Sequence, residues 1–354
     1  MKYHKPELAN LERETVFVLL EDLSSPSGGN HYNHFLLQAL KKEGLVFQTL
    51  NFDQALSHSQ RNIPSVYWLD SLYLDRLEDF LGKKGPEQDV FLVIHDLPSF
   101  EPDLDSKEAR AQKAKEKVIL EAVTGFLLTS PLTKKMLEQR KITSQPVFDV
   151  PPALCLLPSG KKSPGHGFKG LMVSNLIKSK GILEFLENLI KRISESDQFE
   201  VQIVGRSDIE PDYAQACVRT AQKNLLSKNR VLLRGSLSLS ELKSLYEKST
   251  VFISASKMET YGMSVQEAVA FGLPVLAYKA PYTKFHMVPG RNGLLYESIP
   301  DLVQGCVELI REPQKLIKLE KTARESTQKS KYSWKQAARL FLEQFLAWET
   351  HHHA

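Results

Sequence analysis

The chain alternates short, nearly continuous apolar runs with longer amphipathic segments over almost its whole length. Eleven of these runs have the composition of strands: Val16–Leu20, Val46–Asn51, Val66–Leu69, Phe91–Ile94, Phe126–Leu128, Val147–Val150, Leu171–Val173, Val201–Val204, Val231–Leu233, Val251–Ser254 and Val275–Ala277. Strands without polar alternation are typical of parallel sheets that helices cover on both faces. The regular alternation of strand and helix therefore predicts an α/β protein built from doubly wound parallel sheets.

A stretch rich in Pro, Gly and Lys, Pro151–Gly170, has linker composition and divides the chain of 354 residues. Each side has the size of an ordinary domain. We predict a Rossmann-like domain over residues 1–155, a second one over 156–330, and a C-terminal helix over 331–350. One stripe of that helix is apolar, and such a stripe usually packs against a domain.

The composition excludes several classes of protein. The chain is 42% hydrophobic and 25% charged, which is ordinary for a soluble globular protein. It has no run of 18 apolar residues and no apolar core of a secretion signal near Met1. Its three cysteines are far apart and read as reduced thiols. The net charge of +4 does not indicate a nucleic-acid binder, but it permits contact with phosphates or anionic lipid. We expect a cytoplasmic protein that can make weak peripheral contact with the inner face of the membrane.

The most informative segment runs from Lys257 to Ala277. Glu259 and Glu267 are separated by seven residues, and the aromatic-glycine turn at Tyr261 and Gly262 can open a helix between them. Backbone amides at the start of a helix bind phosphate, and carboxylates accept hydrogen bonds from hydroxyls. The segment therefore predicts a nucleotide-sugar site, against the alternative of two exposed carboxylates flanking a helix.

Further polar or glycine-rich loops follow other predicted strands. They contain Gly28 and Gly29, His95, the stretch Asn175–Lys180, and Arg206. Ligands of open α/β sheets lie outside the carboxyl ends of the strands, so we expect these loops to contribute to one site. Each of them, taken alone, is also compatible with an ordinary turn.

One motif resembles a metal site but is interpreted as a turn. Asp103 and Asp105 match an Asp-x-Asp pattern, but they follow Pro102 and not a buried strand, so we interpret them as a solvated turn. We predict no metal and no cofactor.

These elements, in this order and spacing, resemble the GT-B retaining glycosyltransferases of family 4. The resemblance is strongest over Gly170–Ala277 and recognisable from Val16 to Trp348. It implies two Rossmann-like domains that face a central cleft, with the terminal helix crossing back to the first domain.

On the first domain, the resemblance implies that Gly28 and Gly29 approach the diphosphate of the donor. It also implies that His95 is a catalytic residue facing the donor sugar and the acceptor.

On the second domain, the resemblance implies two further catalytic residues, Lys180 on the diphosphate and Glu259 on the hydroxyls of the donor sugar. Glu267 would hold the ribose hydroxyls. A turn whose amides bind phosphate and sugar would consist of Tyr261, Gly262, Met263 and Ser264.

The chain departs from the family pattern at Asn175. Many members carry an Arg at this position, five residues before the lysine, and Asn175 cannot supply its charge. The missing positive charge would have to come from Lys178, from Arg206, or from Lys180 alone. The sequence leaves these alternatives open.

The resemblance implies metal-independent sugar transfer with retention, from a nucleoside diphosphate sugar to a hydroxyl acceptor. A UDP-sugar is slightly favoured as donor. The acceptor would be a saccharide, a lipid-linked saccharide or a small molecule, in cell-envelope or exopolysaccharide synthesis. Two alternatives stay open, namely a nucleotide-sugar epimerase on the same fold and a non-catalytic subunit that activates a partner.

Overall fold

The computed structural model describes residues 11–19, 27–100, 106–142, 144–160, 167–222, 230–327 and 332–352. The chain divides into two compact units. Unit 1 comprises Met1–Ala153 and Tyr332–Ala354, and unit 2 comprises Leu154–Lys331. The Asp-x-Asp motif at Asp103 and Asp105 lies outside the described residues.

Unit 1 contains a six-stranded parallel sheet with the strand order β2-β1-β3-β4-β5-β6. Its strands are β1 (Glu14–Val18), β2 (Gln48–Leu50), β3 (Ser65–Asp70), β4 (Gln88–Ile94), β5 (Gly125–Leu128) and β6 (Val147–Asp149). The helices between them are α1 (Gly28–Glu43), α2 (Phe52–Ser59), α3 (Leu77–Lys83), α4 (Ser106–Ala122) and α5 (Pro131–Gln139). The strand order reverses between β1 and β3, and in a doubly wound sheet ligands bind at such a point.

Unit 2 repeats this architecture with the strand order β12-β11-β10-β7-β8-β9, again parallel throughout the described pairings. Its strands are β7 (Phe168–Val173), β8 (Phe199–Val204), β9 (Arg230–Leu233), β10 (Val251–Ser254), β11 (Val275–Tyr278) and β12 (Gly293–Tyr296). Its helices are α6 (Ile182–Arg192), α7 (Pro211–Gln222), α8 (Leu239–Lys248), α9 (Met263–Ala270), α10 (Ile299–Arg311) and α11 (Pro313–Ser326). The reversal of strand order lies between β7 and β10.

The last helix, α12 (Trp334–His352), belongs to unit 1 and completes its core. Phe341 packs on Trp68 of β3 with a ring-centroid distance of 4.8 Å, and Trp348 packs on Phe91 of β4 at 4.8 Å. The predicted apolar stripe is therefore the surface through which this helix covers one face of the first sheet.

The eleven predicted strands are all present, with ends that differ by up to three residues from the predicted ones. The twelfth strand, β12, was not predicted; it follows a turn at Gly290 and forms the half-exposed edge of the second sheet. Along the described ranges, no helix combines the length and the apolar character needed to cross a bilayer.

Candidate functional site

Lys180, Arg206 and Glu259 of the predicted site follow the carboxyl ends of three adjacent strands, β7, β8 and β10. The predicted residues Met263, Ser264 and Glu267 lie in α9. The loop after β7 carries Lys180, the loop after β8 carries Arg206, and the loop after β10 carries Glu259. This is the point at which the strand order of the sheet reverses, where open α/β sheets bind ligands.

Gly181 brings the loops after β7 and β10 into close contact. Its φ is +64°, and a Cβ atom there would lie 2.5 Å from the carbonyl oxygen of Ala255 and 2.7 Å from Cδ1 of Ile299. A left-handed backbone and this lack of space both favour glycine. Gly181, the glycine of the Lys-Gly pair noted in the sequence, thus fixes the backbone position from which the Lys180 side chain extends.

Lys180 and Glu259 form an ion pair. Lys180 Nζ lies 3.5 Å from Glu259 Oε1 and donates a hydrogen bond of 3.1 Å to the carbonyl oxygen of Met258. Glu259 also accepts a hydrogen bond of 2.9 Å from Ser256 Oγ. Both side chains are more than four-fifths buried, so water screens the pair only partly.

The turn between the two glutamates opens α9 as predicted. Gly262 is the N-cap residue with a φ of +83°, and no side chain caps this helix end. A Cβ atom at Gly262 would lie 2.5 Å from the Tyr282 ring and 3.5 Å from Glu259 Oε2. The backbone N–H groups in the first turn of α9 therefore point out of the helix end that lies next to Glu259. An anion at this end can accept their hydrogen bonds.

His286 supports this turn and was not singled out by the sequence analysis. Its Nε2 lies 2.7 Å from the carbonyl oxygen of Tyr261, and the two rings meet edge to face at 4.7 Å. Burial lowers the pKa of His286, partly offset by the hydrogen bond to Tyr261 and by the charge of Glu259. No motif in the sequence marks His286, because the contact joins residues that are far apart in the chain.

Glu267 lies inside unit 2, with only 6% of its surface exposed. Burial raises its pKa to about 7, against the opposing effect of hydrogen bonds from the Tyr246 side chain and the Leu156 backbone amide. The Tyr246 hydroxyl also lies 3.1 Å from the carbonyl oxygen of Ser264. Glu267, the carboxylate predicted to hold ribose, is thus also hydrogen-bonded to Leu156 at the start of unit 2.

Asn175 and Arg206 interact with each other. Asn175 Oδ1 accepts a hydrogen bond of 3.1 Å from the Arg206 backbone amide, and the Arg206 guanidinium pairs with Asp208 at 2.6 Å. Asn175 thus braces the loop after β8. Arg206 has its charge directed at Asp208, whereas Lys178 is exposed on the loop after β7.

Unit 1 contains the remaining predicted site residues. Gly28 and Gly29 are the first two residues of α1, and Ser27 Oγ caps the helix by accepting from the Asn30 amide at 3.1 Å. A Cβ atom at Gly29 would lie 3.1 Å from Cδ2 of His95, so the glycine leaves room for this imidazole. The structure therefore brings Gly29 and His95 together at the switch point of the first sheet.

A buried carboxylate, Asp70, accompanies His95 at the carboxyl end of β3. Asp70 Oδ2 lies 2.6 Å from Asn33 Nδ2 and 3.3 Å from His95 Nε2, and His95 Nε2 lies 3.0 Å from Asn33 Oδ1. Asp70 is not among the site residues predicted from the sequence. The pattern that points to His95, a polar residue at the end of an apolar strand, applies to Asp70 equally.

The loop that follows His95 is tied to α4 through Ser99, and α4 also forms a buried ion pair with Arg140 at the end of α5. Arg140 Nη1 lies 2.8 Å from Glu116 Oε2, and the fully buried Glu116 also accepts from the backbone amide of Ser99 at 2.8 Å. Within the described parts of the chain, no group of three or more His, Cys, Asp or Glu side chains is arranged to hold a metal ion.

Residues 167–312 match the family model described as glycosyl transferases group 1. All of the matched residues lie in unit 2. The match spans the Lys180, Glu259 and Glu267 segments described above.

Two curated relatives share this similarity. The GtfA subunit of the UDP-N-acetylglucosamine–peptide N-acetylglucosaminyltransferase of Streptococcus pneumoniae is 27% identical over 51% of this chain and 34% of its own length. The poly(glycerol-phosphate) alpha-glucosyltransferase of Bacillus subtilis is 24% identical over 72% of this chain and 37% of its own length. The chain spans about a third of the length of these relatives.

The fold is GT-B. The structure of sucrose-phosphate synthase from Thermosynechococcus elongatus superposes with a TM-score of 0.74 at 17% identity, covering 95% of this chain and 100% of that one. The two six-stranded parallel sheets with flanking helices, predicted from the sequence, are confirmed by this match.

Proposed function

We propose that this protein transfers a sugar from a nucleoside diphosphate sugar to a hydroxyl acceptor, with retention at the anomeric carbon and without a metal ion. One observation carries the proposal. The Lys180–Glu259 pair, at 3.5 Å, lies beside the N-terminus of α9, which no side chain caps, within the residues that match the group 1 glycosyltransferase model.

The chemistry of the leaving group explains why these residues suit the reaction. A departing nucleoside diphosphate gains negative charge on its phosphates, and preorganised positive groups lower the barrier by stabilising that charge. The Lys180 ammonium and the amides at the start of α9 are such groups. Glu259 would then accept hydrogen bonds from the donor-sugar hydroxyls, and Glu267 from the ribose. Lys180 would supply the phosphate charge that Asn175 does not.

The proposed retention needs no covalent sugar–enzyme intermediate. The leaving phosphate and the acceptor hydroxyl would occupy one face of a sugar with oxocarbenium character, and no carboxylate acts as a nucleophile as it does in retaining hydrolases. On unit 1, Gly28 and Gly29 would approach the diphosphate, and His95 would face the sugar and the acceptor.

For the donor, we favour a UDP-sugar, supported by the UDP-N-acetylglucosamine in the name of the streptococcal relative. For the acceptor, we propose a hydroxyl of a saccharide, a lipid-linked saccharide or a small molecule in cell-envelope glycan synthesis. A cytoplasmic location, with weak contact of the basic helix α4 with anionic lipid, completes the proposal.

Calorimetric titration of UDP, GDP and ADP tests the donor site. We expect one nucleotide to bind and Glu267→Ala to lose most of that affinity, whereas Glu195→Ala, at an exposed glutamate of unit 2, keeps it. If none of the three binds at millimolar concentration, the donor proposal is wrong.

Two further measurements test the reaction itself. NMR of the product is expected to show the anomeric configuration of the donor, and an inverted bond would exclude retention. Turnover is expected to be the same with and without EDTA, and its loss would exclude the metal-independent mechanism. The comparisons do not favour the epimerase or the non-catalytic subunit. Turnover of the donor without any acceptor would support the epimerase. Nucleotide binding without turnover across many acceptors would support the non-catalytic subunit.

A further inference from the structure

Three polar side chains of unit 1 form a closed set of hydrogen bonds at the switch point of the first sheet. Asp70 is fully buried at the end of β3, Asn33 is 4% exposed on α1, and His95 follows β4. Asp70 Oδ1 accepts a hydrogen bond of 2.9 Å from the Leu72 amide, and its Oδ2 faces both Asn33 and His95. A buried carboxylate at this position needs such donors to offset its loss of hydration.

The charge of Asp70 is favoured by these partners. Burial alone would raise its pKa, but His95, the Leu72 amide and the Asn33 amide together hold the pKa of this carboxyl below its ordinary value. The charge of His95 acts only when that ring is protonated, whereas the hydrogen bonds from Leu72 and Asn33 favour the ionised Asp70 carboxylate in either state of His95. An ionised carboxylate only accepts hydrogen bonds.

The orientation of the Asn33 amide follows from this charge. The atom of Asn33 that lies 2.6 Å from Asp70 must be the NH₂ group, because a second acceptor there would be repelled. The amide oxygen is then the atom that lies 3.0 Å from His95 Nε2. Since neither that oxygen nor Asp70 can donate, the hydrogen between them belongs to His95 Nε2.

The ring of His95 is also held in place by packing. Tyr32 meets it edge to face at 5.3 Å, and Gly29 leaves only enough room for the imidazole edge. The His95 backbone amide donates to Ser71 Oγ at 3.3 Å. The imidazole is therefore fixed both in orientation and in the nitrogen that faces Asp70.

We propose that Asp70 and Asn33 are positioning residues that fix the neutral His95 ring as its Nε2–H tautomer, and so hold the imidazole in one hydrogen-bonding state toward a sugar or acceptor hydroxyl. The proposal rests on the proposed function for its hydroxyl ligand. Its claim about the tautomer stands on the contacts within unit 1 alone. A carboxylate that holds an imidazole in one tautomer is an established device of enzymes.

The direct test is NMR of the full chain labelled with ¹⁵N-histidine, over the pH range in which the His95 ring is neutral. The spectrum of His95→Gln identifies the His95 signals by their absence. We expect a protonated Nε2 and an unprotonated Nδ1 in the wild type. A ring protonated at Nδ1, or one that averages between the two forms, overturns the proposal without the need for any further variant.

Two variants test the positioning role. Asp70→Asn offers an amide that can donate or accept, and Asn33→Ala removes the acceptor while leaving Asp70 in place. Both are expected to shift His95 toward a mixture of tautomers. Asp75→Asn is the matched control, because Asp75 is an exposed carboxylate of the same segment that pairs with Lys115. Wild-type tautomer populations in both Asp70→Asn and Asn33→Ala would overturn the proposal.

Kinetics separates positioning from a general structural role. By analogy with other partners that orient a histidine, Asp70→Asn is expected to lower kcat about 10- to 100-fold. In a His95→Ala background the same substitution is expected to have no further effect on kcat, because the residue through which Asp70 acts is absent. Additive losses would overturn the positioning role. If the wild type transfers no sugar at all, the proposed function fails, and the NMR result still decides the tautomer.

Discussion

The Nε2 atom of His286 lies 2.7 Å from the carbonyl oxygen of Tyr261, and this hydrogen bond sets the direction of the peptide that opens α9. In a trans peptide the C=O and the following N–H point in opposite directions. The amide of Gly262 is therefore directed away from His286. A residue after β11 thus controls the amide geometry of the proposed diphosphate site.

We expect His286→Ala to weaken binding of the donor nucleotide about fivefold, the effect of losing one hydrogen bond of about 1 kcal/mol. His286→Gln can donate to the same carbonyl and should recover part of the loss. Calorimetry with whichever of UDP, GDP and ADP binds the wild type measures both variants. His34→Ala, at an exposed histidine of α1, is the control, and equal losses in the Ala and Gln variants of His286 would contradict this interpretation.

Lys180 and Lys178 are expected to differ in their effect on nucleotide binding. Lys180 is largely buried beside Glu259, whereas Lys178 is exposed. Removing a charge-assisted contact costs about 1.5–3 kcal/mol, so Lys180→Ala should lower nucleotide affinity roughly 10- to 100-fold.

Lys178→Ala should change that affinity much less, and Lys243→Ala, on the surface of α8, should not change it. Affinities are compared by calorimetry at one fixed ionic strength. A loss in Lys178→Ala as large as that in Lys180→Ala would instead identify Lys178 as the residue that compensates for Asn175.

Glu267 is expected to make the stability of unit 2 depend on pH. Its pKa of about 7 in the folded protein lies above the ordinary value of 4.5, so folding favours the protonated carboxyl. The resulting stability is fully present below about pH 4.5 and is lost as the pH rises through about 7, by an amount on the order of 3 kcal/mol.

The Glu267→Gln variant keeps a neutral side chain at all pH values and should lack this component. The stabilities of wild type and variant are compared by urea unfolding at acidic and alkaline pH, with hydrogen exchange in α9 as the probe of unfolding. Parallel pH dependences of the two proteins would show that Glu267 does not titrate in this range.

The Arg140–Glu116 pair is expected to be essential for the stability of unit 1. Glu116 is fully buried, so Arg140→Met leaves an unpaired charge inside the protein and should cost about 3–5 kcal/mol. All three tryptophans of the chain lie in unit 1, so tryptophan fluorescence reports the unfolding of this unit.

Lys115→Met breaks the exposed pair with Asp75 and serves as the control, with no measurable change expected. If Arg140→Met unfolds at the same urea concentration as the control, the buried pair contributes nothing to stability.

The sequence predicts the sheets well because their strands are apolar on both faces, a pattern that is visible without any tertiary information. It also predicts that Lys180 and Glu259 follow strands and that a helix opens before Glu267, because strand ends and helix starts are local features.

Contacts between distant segments could not be predicted from the sequence. His286 reaches Tyr261 across 25 residues, and Asp70 meets Asn33 across 37 and His95 across 25. Nothing local in the chain marks these pairs, because the topology of the sheets alone brings them together. The burial of Glu267 against Leu156 is a further example, since a glutamate on a helix is usually solvated.

The attachment of α12 to unit 1 separates the order of synthesis from the order of folding. Unit 2 is one continuous segment and can close its core as soon as it has been translated. The face of the first sheet that carries Trp68 and Phe91 stays uncovered until residues 334–352 have been made. At about 5–20 residues per second, translation of the intervening unit takes roughly ten to thirty-five seconds. During that interval the nascent chain exposes an aromatic surface that chaperones can bind. Of the two units, the one whose translation starts earlier is therefore completed later.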